Sequence, residues 1–142
     1  MRLNPYYSEG GITIYHAKAE EVLPRLPEKH FSVLVLDPPF TFRPEHIQDV
    51  LGPYDHGLRD AAAVLILGSG EGMPTMAAFG HPHSRPLDRM IEALMKTAGP
   101  ILDPYMGSGT TLVAAKQLGR EAVGVDIDEK YCRATVERLR TA

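Results

Sequence analysis

The chain has 142 residues, 44% of them hydrophobic, with one cysteine and a net charge of −3 from 15 basic and 18 acidic side chains. That length predicts one domain, residues 1–142, that buries about two-thirds of its unfolded surface without a staple; Cys132 has no internal disulfide partner, which permits a reducing compartment. The net acidity excludes a nucleic-acid binder built on overall positive charge, so a basic contact patch must be local, and no apolar run approaches the roughly 20 residues that span a bilayer. Met1-Arg2-Leu3-Asn4 opens no secretory signal, so a cytoplasmic location is expected.

In chain order, Ile12-Thr13-Ile14-Tyr15 predicts a strand, followed by a helical turn with Ala19, Val22 and Leu23 inward that Pro24 cuts short. Val33-Leu34-Val35-Leu36 is a continuous apolar run, the pattern of a buried parallel strand, and it leads into Asp37-Pro38-Pro39-Phe40. Pro44 to Leu51 predicts a short helix ended by Gly52-Pro53, and Ala63 to Leu67 another buried strand stopped by Gly68-Ser69-Gly70. Pro86 suits a first helical turn. Leu87, Met90, Ile91 and Leu94 follow at i, i+3, i+4 and i+7, and Gly99-Pro100 terminates the helix. Ile101-Leu102 leads into Asp103-Pro104-Tyr105-Met106-Gly107-Ser108-Gly109-Thr110-Thr111. The next helix has Leu112, Ala115 and Leu118 on one face and Gly119 at its end. Ala122 to Val125 predicts a strand closed by Asp126. A last helix capped by Asp128 turns Cys132, Thr135, Val136 and Leu139 inward, with Glu129 and Arg133 paired outside.

Two of these strand ends carry chemistry. Gly107 and Gly109 permit a tight turn and close backbone approach, and the helix starting at Thr110-Thr111 offers free N–H groups to an anionic group. Asp126 lies 126 − 107 = 19 residues past Gly107, close to the roughly 20-residue interval at which a nucleoside-binding α/β unit presents an acid to ribose hydroxyls. A triphosphate loop requires Gly-Lys-Ser/Thr, whereas the first lysine after Gly109 is Lys116, so a nucleoside is the expected ligand. No metal site is expected: His81 and His83 lack a third ligand at suitable spacing, and His46 and His56 read as loop residues. Asp37 alone also reads as a strand-ending turn residue, and Asp126 as a helix cap, although Asp128 is better placed for that task.

Together these residues resemble the amino-methyltransferases that use S-adenosylmethionine to methylate exocyclic amines of DNA bases. Asp37-Pro38-Pro39-Phe40 is similar to the catalytic Asp/Asn/Ser-Pro-Pro-aromatic pattern, and Asp103 to Thr111 to the cofactor loop. The order, catalytic motif first, with His81-Pro82-His83-Ser84-Arg85-Pro86 upstream of the loop, resembles the circularly permuted beta group; Arg85 stands where lysine is usual. The resemblance runs from about Gly11 to Leu139.

It implies a Rossmann-like α/β fold, circularly permuted, with helices on both faces of a mostly parallel sheet of five main strands in the order 3-2-1-4-5. It implies that Asp37, Pro38, Pro39 and Phe40 are catalytic. Asp37 and the Pro38 carbonyl would accept the hydrogens of a poorly nucleophilic amine, and Phe40 would stack on a flipped base. For S-adenosylmethionine it implies Asp103, Pro104, Tyr105, Gly107, Ser108, Gly109, Thr110, Thr111, Asp126 and Ile127, with His81, Ser84, Arg85 and Ala17. Tyr105 reads equally as core, and Arg85 equally as a surface charge. Asp in the first catalytic position leans toward adenine N6 over cytosine N4, in the setting of restriction-modification. Two departures stand out. Only Gly68 to Gly80 fills the place of a target-recognition region, so either the enzyme has little sequence selectivity of its own or recognition comes from a second subunit or from the loops after Phe40 and Leu67; a homodimer or partner subunit is expected on double-stranded DNA. Ala17-Lys18 stands where Gly-Asp is frequent, so either Glu20 or Glu21 reads the cofactor adenine or the cofactor is bound weakly. A non-catalytic cofactor-binding subunit and an RNA amino-methyltransferase stay open as alternatives.

Overall fold

The computed structural model describes residues 3–36, 56–66 and 86–142. Its strands are β1 (Tyr7–Glu9), β2 (Ile12–His16), β3 (Phe31–Leu36), β4 (Leu58–Ile66), β5 (Ile101–Asp103) and β6 (Ala122–Asp126). Its helices are α1 (Ala19–Val22), continued by a 3-10 turn Leu23–Arg25, then α2 (Pro86–Met95), α3 (Thr110–Gln117) and α4 (Glu129–Thr141). Asp37 to Asp55 and Leu67 to Arg85 lie outside the described residues, and with them the helix expected over Pro44 to Leu51.

The sheet runs β1-β2-β6-β5-β3-β4. Every neighbouring pair is parallel except β1 and β2. Counted from β5 as first, the five parallel strands stand in the expected order 3-2-1-4-5. The sixth strand corrects the expected five. Tyr7-Ser8-Glu9 folds back on β2 through Gly10 and Gly11, whose φ values of 59° and 84° suit a two-glycine hairpin turn. Three residues with exposed Ser8 and Glu9 carry no apolar period, which hides the strand in the sequence. Strand β4 starts five residues earlier than the expected Ala63, at Leu58, with the charged Arg59 and Asp60 interrupting the apolar pattern of its opening. A register irregularity between Phe31 and Val33 absorbs the added length: Phe31 pairs with Leu58 and Val33 with Ala63.

Period-two alternation divides the core between the two faces of the sheet. Ile12, Ile14, Val33, Val35, Ile101 and Ala122 join α2, α3 and α4 on one face; Leu34, Leu36, Leu102, Val123 and Val125 join α1 and its 3-10 turn on the other. On α2, Met90 and Leu94 are fully buried, with Leu87 and Ile91 packed at the margin. On α3, Thr111 to Ala115 are all buried, because the helix lies between the sheet, α2 and α4 and has little outer face. The α4 interior is Cys132, Thr135, Val136 and Leu139, as its spacing predicts.

Gly124, in β6, lets α3 and the loop before it close on the sheet. A Cβ there would stand 2.6 Å from both Leu112 Cδ1 and Met106 Sδ. Gly124→Ala should lower the unfolding free energy by about 1–3 kcal/mol through overpacking. Urea denaturation monitored by circular dichroism measures it, and a midpoint equal to that of the parent protein contradicts this packing.

Candidate functional site

The parallel strands end together along one edge of the sheet. Leu34 lies opposite Leu102, Asp103 opposite Gly124, and His16 opposite Asp126, so Leu36, Asp103, Asp126 and His16 all finish there. Between β5 and β3 the connections diverge. After β5 the chain passes through α3 to β6 on one side, and β3 is flanked by β4 on the other. Such a switch point opens a crevice at the carboxyl ends of the strands. The loop 104–109 borders it from β5. Asp37-Pro38-Pro39-Phe40, next in the chain after Leu36, lies outside the described residues, as do His81, Ser84 and Arg85.

The glycine loop is held by its own main chain and by four side chains. Asp103 is buried, and its carboxylate accepts the Tyr105 N–H at 3.3 Å. Buried Pro104 and Met106 seat the loop, with Met106 N–H donating to the Val125 carbonyl at 3.0 Å. Tyr105 is 47% exposed, which decides against a core role. The Asp126 carboxylate receives Gly107 N–H at 3.0 Å on one oxygen and Asp128 N–H at 2.9 Å on the other. An ionised carboxylate has about four acceptor sites, so two remain. Asp128 caps α4, accepting Lys130 N–H at 2.9 Å, which frees Asp126 from that task. From α4, Thr135 Oγ1 donates to the Gly107 carbonyl at 3.2 Å, and Arg138 Nη1 donates to the Ser108 carbonyl at 2.7 Å and lies 3.2 Å from Thr110 Oγ1.

The two glycines differ. Gly107 has φ 54°, and a Cβ there would meet nothing within 4 Å, so its outer side is open. Gly109 has φ 82°, and a Cβ there would lie 2.2 Å from Thr135 Cγ2, so it lets α4 touch the loop. Gly109 is also the N-cap of α3 and makes no side-chain cap hydrogen bond, leaving the first N–H groups of the helix to another acceptor. The Lys116 ammonium bonds the Leu139 carbonyl at the far end of α4, away from the loop. That geometry agrees with the absence of a triphosphate motif.

Around Asp126 the edge is tied down by β2. Ala17 N–H donates to the Asp126 carbonyl at 3.1 Å, and His16 Nε2 lies 3.0 Å from the Ile127 carbonyl. Ile127 is 64% exposed, an apolar side chain beside an acid at a strand end. Lys18 is the exposed N-cap of α1, and Glu20 and Glu21 stand exposed in its first turn. Cys132 donates to the Asp126 carbonyl at 3.8 Å; burial, then the neighbouring Asp126, Asp128 and Glu129 charges, push its thiol up to about 11, so it stays protonated. His16, Thr135 and Arg138 escaped the sequence reading. Thr135 left a signal, a hydroxyl on an otherwise apolar helical face.

Residues 69–137 match the family model for DNA methylases, just under half of the chain. A stretch of 62 residues is 45% identical to the Type II methyltransferase M2.DpnII of Streptococcus pneumoniae, covering 42% of this chain and 23% of that protein. The chain thus matches about a quarter of the length of that curated relative. The sequence resembles those of DNA amino-methyltransferases. The fold does too: the crystal structure of M1.HpyAVI superposes with a TM-score of 0.67 at 19% identity, covering 91% of this chain and 99% of that one. The cytosine-N4-specific PvuII DNA methyltransferase superposes with a TM-score of 0.59 at 11% identity, over 94% of this chain and 88% of that one.

The loop geometry separates the two glycines experimentally. Gly109→Ala combines a left-handed φ with the Thr135 collision and should cost about 3 kcal/mol or more. Gly107→Ala carries only the backbone penalty and should cost about 1–2 kcal/mol. Thermal and urea unfolding of the two variants side by side gives the order, and a Gly109→Ala variant as stable as Gly107→Ala contradicts the Thr135 contact.

Proposed function

We propose that the chain transfers a methyl group from S-adenosylmethionine to an exocyclic amine of a DNA base, adenine N6. The observation that carries this reading is the switch-point crevice. The Gly107–Asp126 pair borders it, and Asp37-Pro38-Pro39-Phe40 follows directly from Leu36 at the end of β3. The matching DNA methylase family and the Type II methyltransferase among the relatives support it, and with them a restriction-modification setting.

The residues present fit the cofactor. A nucleoside ribose can approach the two unused acceptor sites of Asp126. Exposed Ile127 and Tyr105 offer apolar faces for an adenine and a thioether chain. The open side of Gly107 admits a close neighbour, and the uncapped start of α3 suits a carboxylate. M1.HpyAVI, similar in fold, has also been solved as a complex with SAM. When bound, the cofactor supplies a sulfonium methyl group as electrophile. Asp37 and the Pro38 carbonyl accept the two amine hydrogens, which draws the nitrogen lone pair out of conjugation with the ring. Phe40 stacks on the extruded base. His81, Ser84 and Arg85 are assigned to the cofactor by the resemblance alone, and the Ala17 N–H holds the Asp126 carbonyl in place.

Asp in the first catalytic position is the basis for adenine over cytosine. Incorporation of labelled methyl groups into duplex DNA and into RNA, followed by nucleoside analysis, tests the substrate. N6-methyladenine in DNA is expected; N4-methylcytosine corrects the base, and label confined to RNA overturns the proposal. Asp37→Ala should reduce methyl transfer by at least about a hundredfold while leaving cofactor binding within about threefold. Turnover that survives at the parent rate removes Asp37 from the mechanism.

Specific recognition of DNA buries about 1,000–2,500 Å² on the protein, and only Gly68 to Gly80 stands in the place of a target-recognition region. We place a second copy or a partner along β4, which among the described residues pairs with β3 alone. Light scattering on the purified protein should give twice the chain mass. A monomer that methylates a defined site contradicts this part.

A further inference from the structure

We propose that Arg138, with Thr135 one helical turn before it, positions the cofactor loop from behind, and that this sets the affinity for the sulfonium nucleoside. The inference rests on the cofactor reading above. Its evidence is independent of that reading, because it lies in how the loop is bonded.

The N–H groups of Tyr105, Met106, Gly107 and Gly109 bond to Asp103, Val125, Asp126 and Met106, and the loop carbonyls need donors of their own. Here the donors come from α4. The Gly107 carbonyl accepts from Thr135 Oγ1 at 3.2 Å, and the Ser108 carbonyl accepts from Arg138 Nη1 at 2.7 Å. The same nitrogen lies 3.2 Å from Thr110 Oγ1 and 3.5 Å from Ser108 Oγ, so one guanidinium spans the loop and the first turn of α3. Thr135 has a single hydroxyl hydrogen and a second acceptor, the Tyr131 carbonyl at 2.8 Å. Its hold on Gly107 is therefore the weaker, and Arg138 is the principal tether.

The placement of the charge argues for a purpose. Arg138 lies in the last turns of α4, where a cation complements the helix dipole. Yet its guanidinium reaches the N-terminal end of α3, where the dipole disfavours a cation. What offsets that opposition is the charge-assisted bond to Ser108 O, which fixes the loop beside the start of α3. Arg138 touches neither cofactor nor base in this scheme. It acts through Ser108 and Thr110.

The test uses the full chain with Arg138→Ala, Arg138→Lys and Thr135→Val, read in two ways. Amide hydrogen exchange of the ligand-free protein should rise at least about tenfold at Gly107 to Thr110 in Arg138→Ala, the loss of one charged hydrogen bond, with β6 unchanged. Calorimetry with S-adenosylhomocysteine should show its Kd rising about tenfold in Arg138→Ala, less in Thr135→Val, with recovery in Arg138→Lys. In methyl transfer the loss should fall on the KM for the cofactor, with kcat at saturation retained. Unchanged loop exchange overturns the proposal whether or not the parent protein binds the nucleoside. Faster exchange over the whole chain, or a drop in kcat that saturating cofactor does not restore, also overturns it, since either marks a general structural role. A parent protein that binds no sulfonium nucleoside refutes the cofactor reading instead; the loop exchange then still decides the tether.

Discussion

The hydrogen bond from Gly107 N–H to the Asp126 carboxylate joins the ends of two neighbouring parallel strands, and the site depends on it. Strands β5 and β6 are fixed side by side by their ladder, but the ladder stops at Asp103 opposite Gly124. Beyond that point the loop 104–109 has only three residues before Gly107 in which to turn away from the sheet. Asp126 catches it there, while its second oxygen takes Asp128 N–H at the start of α4. One carboxylate therefore sets the distance between the glycine loop and the helix that backs it. Removing it releases both at once.

That arrangement explains why the glycines cannot be exchanged for one another. Gly124 brings β6 under Leu112 and Met106, and Gly109 brings the loop against Thr135. Both are close contacts facing the protein. Gly107 faces open space, and its positive φ turns the chain. Three glycines within eighteen positions thus serve two packing contacts and one approach surface, and only the last has a claim on a ligand. A sequence reading that counts Gly107 and Gly109 as one motif merges two separate physical requirements.

Most of the frame was legible because its signals are local and repeated. The apolar run at Val33 to Leu36 reads as a buried parallel strand and Ala122 to Val125 as a strand, and both are parallel strands of the sheet. The α4 interior of Cys132, Thr135, Val136 and Leu139 follows from spacing alone, as does the Glu129–Arg133 pair at 3.3 Å. The strand order 3-2-1-4-5 came from the family resemblance and from no property of single residues. What stayed hidden was polar and short. The opening of β4 carries Arg59 and Asp60, and β1 has three residues, so neither shows an apolar period long enough to read. Asp126 was legible as an acid at the right interval, but the interval does not reveal that the carboxylate already holds Gly107. The spacing of 19 residues reports the length of one strand–helix–strand unit, and that length serves loop fixation as well as it serves a ribose.

Thr135 and Arg138 illustrate a different limit. Helical periodicity assigns a residue to a face and says nothing of the atom it bonds. A threonine on the apolar face of α4 is compatible with plain packing, and a basic residue in the last turn with plain dipole complementarity. The informative fact is the conjunction: a buried hydroxyl needs an acceptor, and a guanidinium three residues on lies along the same helical stripe. Two donors on one stripe demand two acceptors on whatever packs there. The glycine loop answers with the carbonyls of Gly107 and Ser108. Gly109 permits the answer, because any Cβ at that position would push α4 off the loop and take both donors away from the loop carbonyls. The donors on α4 and the missing side chain at Gly109 are thus one device, written in two parts of the chain about twenty-six residues apart.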